Sequence, residues 1–313
     1  METIIETNIL NFHQKGIIRT LLYYDVFTYP LTKQELYQNH PSEIGKDEFQ
    51  NEIDNLVNQG ILFERSEFYL LNIKDESTIQ KRINGNKLAT QMFPAARRNS
   101  LFIAKFPFVS GVNVSGSLSK NYYDDHSDID YFIITKPNRL WVCRTLFILY
   151  YKTLSKEKKK QYCLNYFISE ADLTISDNNP FVAKELAYLI PTVNKKTYLD
   201  LLENNNWYKA FYKNKAEQDF SNCDPTQEPW YKKAIEAVFF GKFGNWIDNM
   251  LLRMTLKHWQ KKHHGISKED FEIQFRSRKH VCKYHTHGNQ NKILKMWREG
   301  IKDFENEFGI ELN

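Results

Sequence analysis

The chain has 313 residues, which is enough for two or three domains. Apolar residue types make up 42% and charged types 26%, so the composition is that of a globular protein and excludes a disordered or collagen-like chain. No stretch approaches the ~20 uncharged apolar residues that a membrane helix requires. The four cysteines are far apart, which fits a reducing compartment, and the N-terminus lacks a secretory signal pattern. We expect a cytoplasmic protein with no membrane association.

The charge of the chain is unevenly distributed around its net value of +5. Residues 1–75 contain twice as many acidic as basic residues, whereas the remainder is basic. This change predicts a domain boundary near residue 75 and places any surface for polyanions after it. Near residue 178 the predicted secondary structure changes from alternating strands and helices to mostly helices. We therefore expect three parts: residues 1–75, 76–178 and 179–313.

The sequence of residues 1–75 predicts three helices followed by a hairpin. Thr32 has the position of a helix N-cap, with Glu35 three residues on in capping-box spacing. A helix is predicted from about Asp47 to Asn58, and two apolar runs around a polar turn at Glu64–Glu67 predict a hairpin. This order resembles a winged helix-turn-helix domain.

A winged helix often binds DNA through its third helix. Here that helix is rich in acidic residues, although a phosphate-facing helix should be basic. We therefore expect packing or homodimerisation to be the role of residues 1–75. A DNA-binding regulator is kept as an alternative, with DNA an unlikely partner on this charge argument.

Residues 76–178 contain a leading helical region and then alternating strands and helices. Strands are predicted at 106–114, 128–135 and 162–168. A short helix is predicted at 118–123 and a long one at 138–154, followed by a lysine-rich turn at 156–160. After Pro180 the pattern predicts mostly helices, near 181–190, 196–213, 229–262 and 289–308. Residues 179–313 are therefore expected to form a C-terminal helical domain.

The pattern that points to chemistry is Gly116-Ser117 followed, after ten residues, by Asp128-Ile129-Asp130. Side chains alternate along a strand, so Asp128 and Asp130 are expected on one face, where a divalent cation would relieve their repulsion. Gly116 allows the backbone to approach a ligand, and a helix that begins at Ser117 would favour phosphate. Metal-holding acids beside phosphate-holding amides are what nucleotidyl transfer requires.

These residues resemble the motif of the DNA polymerase β-like nucleotidyltransferase superfamily, over roughly residues 95–180. The resemblance implies an α+β fold, with a mixed sheet and helices as the nucleotidyltransferase core. It implies that Asp128 and Asp130 hold Mg²⁺ or Mn²⁺ and that Ser117 in the Gly116 loop binds the β/γ-phosphates of an NTP, with ATP the default. Lys120, and less strongly Ser119, are further candidates for the triphosphate.

One position departs from the family pattern. Members usually supply a third acid from the next strand, and the aligned position here is Asn165. An amide ligates metal weakly and cannot act as a base. Glu170 or Asp172, just beyond, are candidates to replace the missing acid, and capping of the next segment is the alternative role of both.

The predicted function is therefore metal-dependent transfer of an NMP from an NTP to an acceptor hydroxyl, with release of pyrophosphate. Three classes of acceptor are compatible with the sequence: a small molecule, a protein side chain and an RNA end. Because of Asn165, a catalytically weak nucleotide-binding or interaction protein is the alternative.

A second cluster lies near the C-terminus, where His280, Cys282, His285 and His287 occur within a basic segment. These are zinc-ligand types, but the paired spacing of structural zinc sites is absent. A basic surface or a solvated patch is the preferred interpretation.

Overall fold

A computed structural model describes residues 10–71, 76–284 and 289–312. These residues form an α+β protein with twelve α-helices, a mixed six-stranded sheet and a small antiparallel sheet of three strands. Within those ranges, no helix combines the length and the apolar character needed to cross a bilayer.

The N-terminal module contains the three predicted helices and the hairpin. Its elements are α1 (Phe12–Asp25), β1 (Leu31–Thr32), α2 (Lys33–Asn39), α3 (Lys46–Asn58), β2 (Phe63–Arg65) and β3 (Phe68–Leu70). The predicted capping box at the start of α2 is confirmed, because the Thr32 hydroxyl accepts the Glu35 N–H at 3.3 Å while the Glu35 carboxylate accepts the Thr32 N–H at 3.0 Å. The two-residue strand β1 was not predicted. It pairs with β3, giving the order β1-β3-β2.

The middle of the chain follows the predicted alternation. It consists of α4 (Glu76–Ile103), β4 (Val109–Ser115), β5 (Asp130–Thr135), α5 (Leu140–Lys152), α6 (Lys156–Lys160) and β6 (Cys163–Ser169). The lysine-rich turn is in fact the short helix α6, which Ser155 caps by accepting the Lys158 N–H at 3.4 Å.

The part predicted as a C-terminal helical domain contains strands as well as helices. Its elements are α7 (Pro180–Ala187), β7 (Ile190–Val193), α8 (Lys195–Asn204), α9 (Trp230–Val238), α10 (Gly241–Lys262), α11 (Lys268–Gln274), β8 (Ser277–Arg278), β9 (Val281–Lys283) and α12 (Asn289–Phe308). Most of these elements are helices, as expected, but the three short strands β7, β8 and β9 were not predicted, and they extend the central sheet. Strands of two to four residues are too short to give a period-two pattern.

The six-stranded sheet has the order β7-β4-β5-β6-β9-β8. β5 and β6 are parallel, and every other neighbouring pair is antiparallel. The register places Asp130 beside Ser115 on one side and beside Cys163 on the other. The end of β4 and the starts of β5 and β6 therefore meet at one edge of the sheet.

The C-terminal helix α12 returns to the N-terminal module. Ile301 and Phe304 of α12 are buried in the same apolar cluster as Ile17 and Ile18 of α1. The Trp297 indole N–H donates to the Arg19 carbonyl at 3.0 Å. Burial of this apolar surface stabilises the packing of α12 against α1.

Candidate nucleotide and metal site

The turn after β4 places glycine backbone directly against an acidic side chain. Gly116 has φ +68°, a left-handed conformation that glycine adopts without steric cost. A Cβ atom built on Gly116 would lie 2.2 Å from Oδ2 of Asp130. A larger residue at this position would therefore displace the carboxylate.

The chain beyond Gly116 differs from the predicted helix at 118–123. Residues Leu118–Lys120 form a single 3₁₀ turn that ends at Asn121 in the left-handed conformation. A turn of three residues has no macrodipole of consequence, so any phosphate contact at Ser117 depends on local N–H groups and the hydroxyl. The Ser119 hydroxyl donates to the Gly116 carbonyl at 2.9 Å and is engaged within the turn.

The two acidic residues of the motif lie on either side of a buried isoleucine. The Ile129 N–H donates to the Lys160 carbonyl at 2.8 Å, and the Ile129 carbonyl accepts the Cys163 N–H at 3.1 Å. Ile129 is fully buried, whereas Asp128 is exposed and Asp130 is partly buried. With Ile129 fixed, both carboxylates line one cleft of about 520 Å³ together with Gly116 and Ser117.

The carboxylate of Asp130 is held in a site that disfavours its charge. Burial raises the pKa of Asp130 to about 7, the charges of Glu185 and Asp128 raise it as well, and Lys120 acts in the opposite direction. Although Asp128 is exposed as a residue, partial desolvation of its carboxylate also raises its pKa, against the influence of Lys160. A cation at this point would relieve the electrostatic cost of ionising both groups.

Asn165 of β6 lies beside this pair, as its alignment with the third acid predicts. Its Nδ2 donates to Oδ1 of Asp130 at 2.5 Å, and its Oδ1 accepts from Cys163 Sγ at 3.2 Å. The neutral amide therefore orients the Asp130 carboxylate by donating a hydrogen bond to it, whereas an acid at this position would add a negative charge.

Glu170 and Asp172 do not reach the site. Asp130 pairs with Cys163 at the start of β6, whereas Glu170 follows the last residue of that strand, Ser169. At about 3.3 Å per strand residue, this separates Glu170 from the cleft by roughly 20 Å. The Asp172 carboxylate accepts the Thr174 N–H at 3.0 Å within its own turn. The expectation that either residue replaces the third acid was wrong.

The cleft has an aromatic wall that sequence reasoning missed. It consists of Tyr23, Tyr24, Phe27, Tyr29, Tyr122 and Phe181. Four of these six belong to the N-terminal module, and the Tyr29 hydroxyl donates to the Lys120 carbonyl at 2.9 Å. The N-terminal module is thus part of the cleft, about 90 residues away in sequence from the glycine turn, and no local pattern could have indicated it.

A lysine–glutamate pair joins the glycine turn to α7. Lys120 Nζ lies 2.9 Å from Glu185 Oε1 and also donates to the Gly116 carbonyl at 2.9 Å. Lys120 therefore lines the cleft beside the glycine turn. Glu185 is a third carboxylate near Asp130 that the sequence did not single out, because it stands within an ordinary helical pattern.

Lys184, the neighbour of Glu185, is buried where the cleft meets the N-terminal module. Its Nζ donates to Asn39 Oδ1 at 2.6 Å and to the Tyr24 hydroxyl, and it lies 3.7 Å from the centroid of the Tyr24 ring. Burial holds the pKa of Lys184 well below its ordinary value. These contacts fix the N-terminal module against α7.

The oxygen ligands of the cleft suit magnesium or manganese. Mg²⁺ in nucleotide sites is commonly held by one or two carboxylates together with substrate phosphates and water. Asp128 and Asp130 supply two carboxylates beside a turn that can accept phosphate. Among the described residues, no group of three or more His, Cys, Asp or Glu side chains is close enough to form a cage made only of protein ligands.

The described residues of the histidine and cysteine cluster near the C-terminus lie outside the cleft lining. Cys282 is buried in β9, and His285 and His287 lie outside the described residues.

Comparisons of this chain with protein-family models, curated proteins and solved structures find no significant match.

Proposed function

We propose that this protein is a nucleotidyltransferase of the polymerase β-like type, with a winged-helix-like N-terminal module. The observation that carries the proposal is the meeting of the Gly116–Ser117 turn with Asp128 and Asp130 in one cleft. Nucleotidyl transfer requires a place for a triphosphate next to acidic groups that hold a divalent cation, and the cleft offers both.

In this proposal each residue of the cleft has a defined part. The turn at Ser117 and the Lys120 ammonium bind the β- and γ-phosphates, while Asn165 keeps the Asp130 carboxylate oriented by its hydrogen bond. Asp128 and Asp130 hold Mg²⁺, which supplies charge neutralisation to the triphosphate and to the departing pyrophosphate. The aromatic wall provides an apolar surface on which the planar base of the nucleotide can stack.

The reaction is a displacement at the α-phosphorus. The acceptor hydroxyl oxygen forms a new bond to that phosphorus, and the bond from the phosphorus to the oxygen bridging the α- and β-phosphates breaks. Pyrophosphate leaves with the electron pair of that bond. The hydroxyl proton leaves to solvent at the open side of the cleft, because Asn165 cannot accept it as a base.

The test is release of pyrophosphate from ATP in the presence of Mg²⁺ or Mn²⁺ and a metabolite extract. We expect release by the wild-type protein and its loss in Asp128→Ala and in Asp130→Ala. The matched control is Asp125→Ala, which removes a carboxylate from the same loop at a position outside the cleft lining. Retention of activity in Asp128→Ala and Asp130→Ala would refute the proposal.

A second candidate is a protein that binds nucleotide with little turnover. The observation that favours it is Asn165, which stands where a third acid would activate the nucleophile. Thermal stabilisation by ATP with Mg²⁺, without pyrophosphate release under any acceptor supplied, would support this candidate over the first.

The charge on α3 weighs against the alternative of a DNA-binding regulator. Its exposed surface carries Asp47, Glu48 and Asp54 beside Lys46. Such a surface repels the phosphate backbone, which supplies most of the affinity in non-specific DNA binding.

A further inference from the structure

A second cavity shares a wall with the cleft. It has a volume of about 430 Å³, and Asp128 and Asn165 line both spaces. We call this second cavity the basic pocket. Asp128 and Asn165 therefore stand between this cavity and the place where the proposed function positions the α-phosphate.

The basic pocket has an excess of positive charge. Arg144 and Lys152 of α5 and Lys159 of α6 line it, and Asp128 is its one acidic lining residue among those described. None of these three cations has a carboxylate of the described residues within 4.0 Å, whereas Lys120 in the cleft is paired with Glu185. Cations that have no carboxylate beside them favour an anionic occupant of the cavity they line.

The position of one cation is fixed by an aromatic ring. The Arg144 guanidinium carbon lies 4.7 Å from the centroid of the Trp259 ring, and Trp259 is buried. Arg144 also interacts with the buried Cys282 thiol, so its charge is held at the wall of the pocket from two sides, where an arginine can bind a planar or tetrahedral anion. Lys159 is placed similarly, with Nζ 5.6 Å from the centroid of the Tyr151 ring.

The rest of the lining is largely aromatic. Tyr151, Tyr162, Trp259 and Tyr284 contribute ring surface, together with the side chains of Phe147, Ile148 and Leu164. Small-molecule sites typically combine such apolar walls with a few placed polar groups, in volumes of roughly 300–1,000 Å³. The pocket therefore fits a single ring with a charged substituent better than a polymer.

We propose that the basic pocket binds the acceptor, and that the acceptor is a small phosphorylated ring compound that carries a free hydroxyl. Its phosphate lies at Arg144, Lys152 and Lys159, its ring lies against the aromatic lining, and its hydroxyl points past Asp128 into the cleft. This inference rests on the proposed function, since the hydroxyl becomes the nucleophile of the displacement at the α-phosphorus described above. The product is the phosphodiester of acceptor and NMP, and pyrophosphate is released.

The test measures binding by calorimetry with a matched pair of probes, ribose 5-phosphate and ribose. We expect the wild-type protein to bind ribose 5-phosphate and to bind ribose at least tenfold more weakly. The double variant K152A/K159A should weaken ribose 5-phosphate binding at least tenfold. The control is K156A/K158A, which removes the same charge from exposed positions of α6 outside the pocket lining, and it should change the affinity less than twofold.

The affinity for ATP with Mg²⁺, measured on the same variants, separates this inference from the proposed function. If K152A/K159A keeps the wild-type affinity for ATP and loses ribose 5-phosphate, the acceptor assignment is supported. Equal binding of the two sugars, no binding of either, or an equal loss in the control would overturn it while leaving the proposed function standing. Loss of ATP binding in K152A/K159A would assign the pocket to the nucleotide instead. Failure of the wild-type protein to bind ATP at all would remove the proposed function itself and, with it, the acceptor role.

A short single-stranded RNA serves as the competing ligand. If RNA binds the basic pocket more than tenfold tighter than ribose 5-phosphate, and K152A/K159A abolishes that binding, the small-molecule assignment is wrong.

Discussion

Gly116 and Asp130 are in contact across the edge of the central sheet, with no room for a side chain between them. A Cβ atom on Gly116 would lie 2.2 Å from Oδ2 of Asp130, and the other carboxylate oxygen of Asp130 is held by Asn165 at 2.5 Å. The glycine turn and the hydrogen bond therefore set the orientation of one carboxylate from two sides. Any change at position 116 acts directly on the group that is proposed to hold metal.

Gly116→Ala should abolish ATP binding and destabilise the protein. The alanine would adopt a left-handed conformation at a cost of roughly 1–2 kcal/mol and would push the Asp130 carboxylate away from Asn165. Gly60→Ala is the matched control, because Gly60 has φ +70° and nothing lies within 4 Å of its Cβ position. Urea unfolding should show a similar strain cost in both variants, and only Gly116→Ala should lose ATP binding. An unchanged ATP affinity in Gly116→Ala would contradict the close approach.

Glu185→Gln should tighten ATP binding several-fold. Glu185 lies 2.9 Å from Lys120 and adds negative charge near Asp130, so its neutralisation frees the lysine for phosphate and lowers repulsion. Lys120→Met should weaken ATP binding by about tenfold, equivalent to about 1.4 kcal/mol. Glu203→Gln on the exposed surface of α8 is the charge-matched control and should change nothing. Weaker ATP binding in Glu185→Gln would show that Glu185 contributes to the site as a ligand.

Lys184→Met should remove a contribution to the free energy of unfolding that depends on pH. Burial lowers the pKa of Lys184 well below 10.5, so between the folded-state pKa and 10.5 the unfolded chain binds more protons than the folded one. The contribution of this residue to the free energy of unfolding therefore rises with pH, by at most about 1.4 kcal/mol per pH unit.

Chemical unfolding of both proteins from pH 7 to pH 9 measures this contribution. The wild-type protein should gain stability relative to Lys184→Met over that range, and parallel curves would contradict the prediction. The neighbouring charged and titratable groups, which both proteins share, are Tyr23, Tyr24, Glu185, Tyr188, Tyr212 and Lys215.

Asn165→Asp should raise pyrophosphate release by about tenfold while lowering the thermal stability of the metal-free protein. A carboxylate at this position supplies the third acid but replaces a donor to Asp130 with a like charge. Asn165→Ala removes the hydrogen bond without adding charge and is the comparison variant. Release by Asn165→Asp that is no faster than by Asn165→Ala would show that Asn165 does not limit turnover.

How far the sequence predicts this molecule depends on whether a feature is local. The longer helices and strands between residues 12 and 169, the capping box at Thr32 and the approach of Asp130 to the glycine turn follow from residues within one or two elements of each other. Glu170 was misplaced because position just after a strand does not say which edge of the sheet it occupies. The parallel pairing of β5 and β6 puts Glu170 at the edge away from Asp130.

The remaining features depend on contacts between distant segments. Tyr24 and Tyr29 line the cleft because the N-terminal module packs on α7 and on the glycine turn, through hydrogen bonds that span 91 to 160 residues. The strands β7, β8 and β9 are defined by pairing with the central sheet and carry no period-two signal of their own. Tertiary packing of this kind cannot be obtained from hydrophobic periodicity alone.

The most direct measurement is the anomalous scattering of Mn²⁺ in crystals grown with a non-hydrolysable ATP analogue. We expect a manganese peak between the carboxylates of Asp128 and Asp130, with the β- and γ-phosphates of the analogue at the Ser117 turn. A nucleotide bound elsewhere, or a peak away from these two carboxylates, would contradict it.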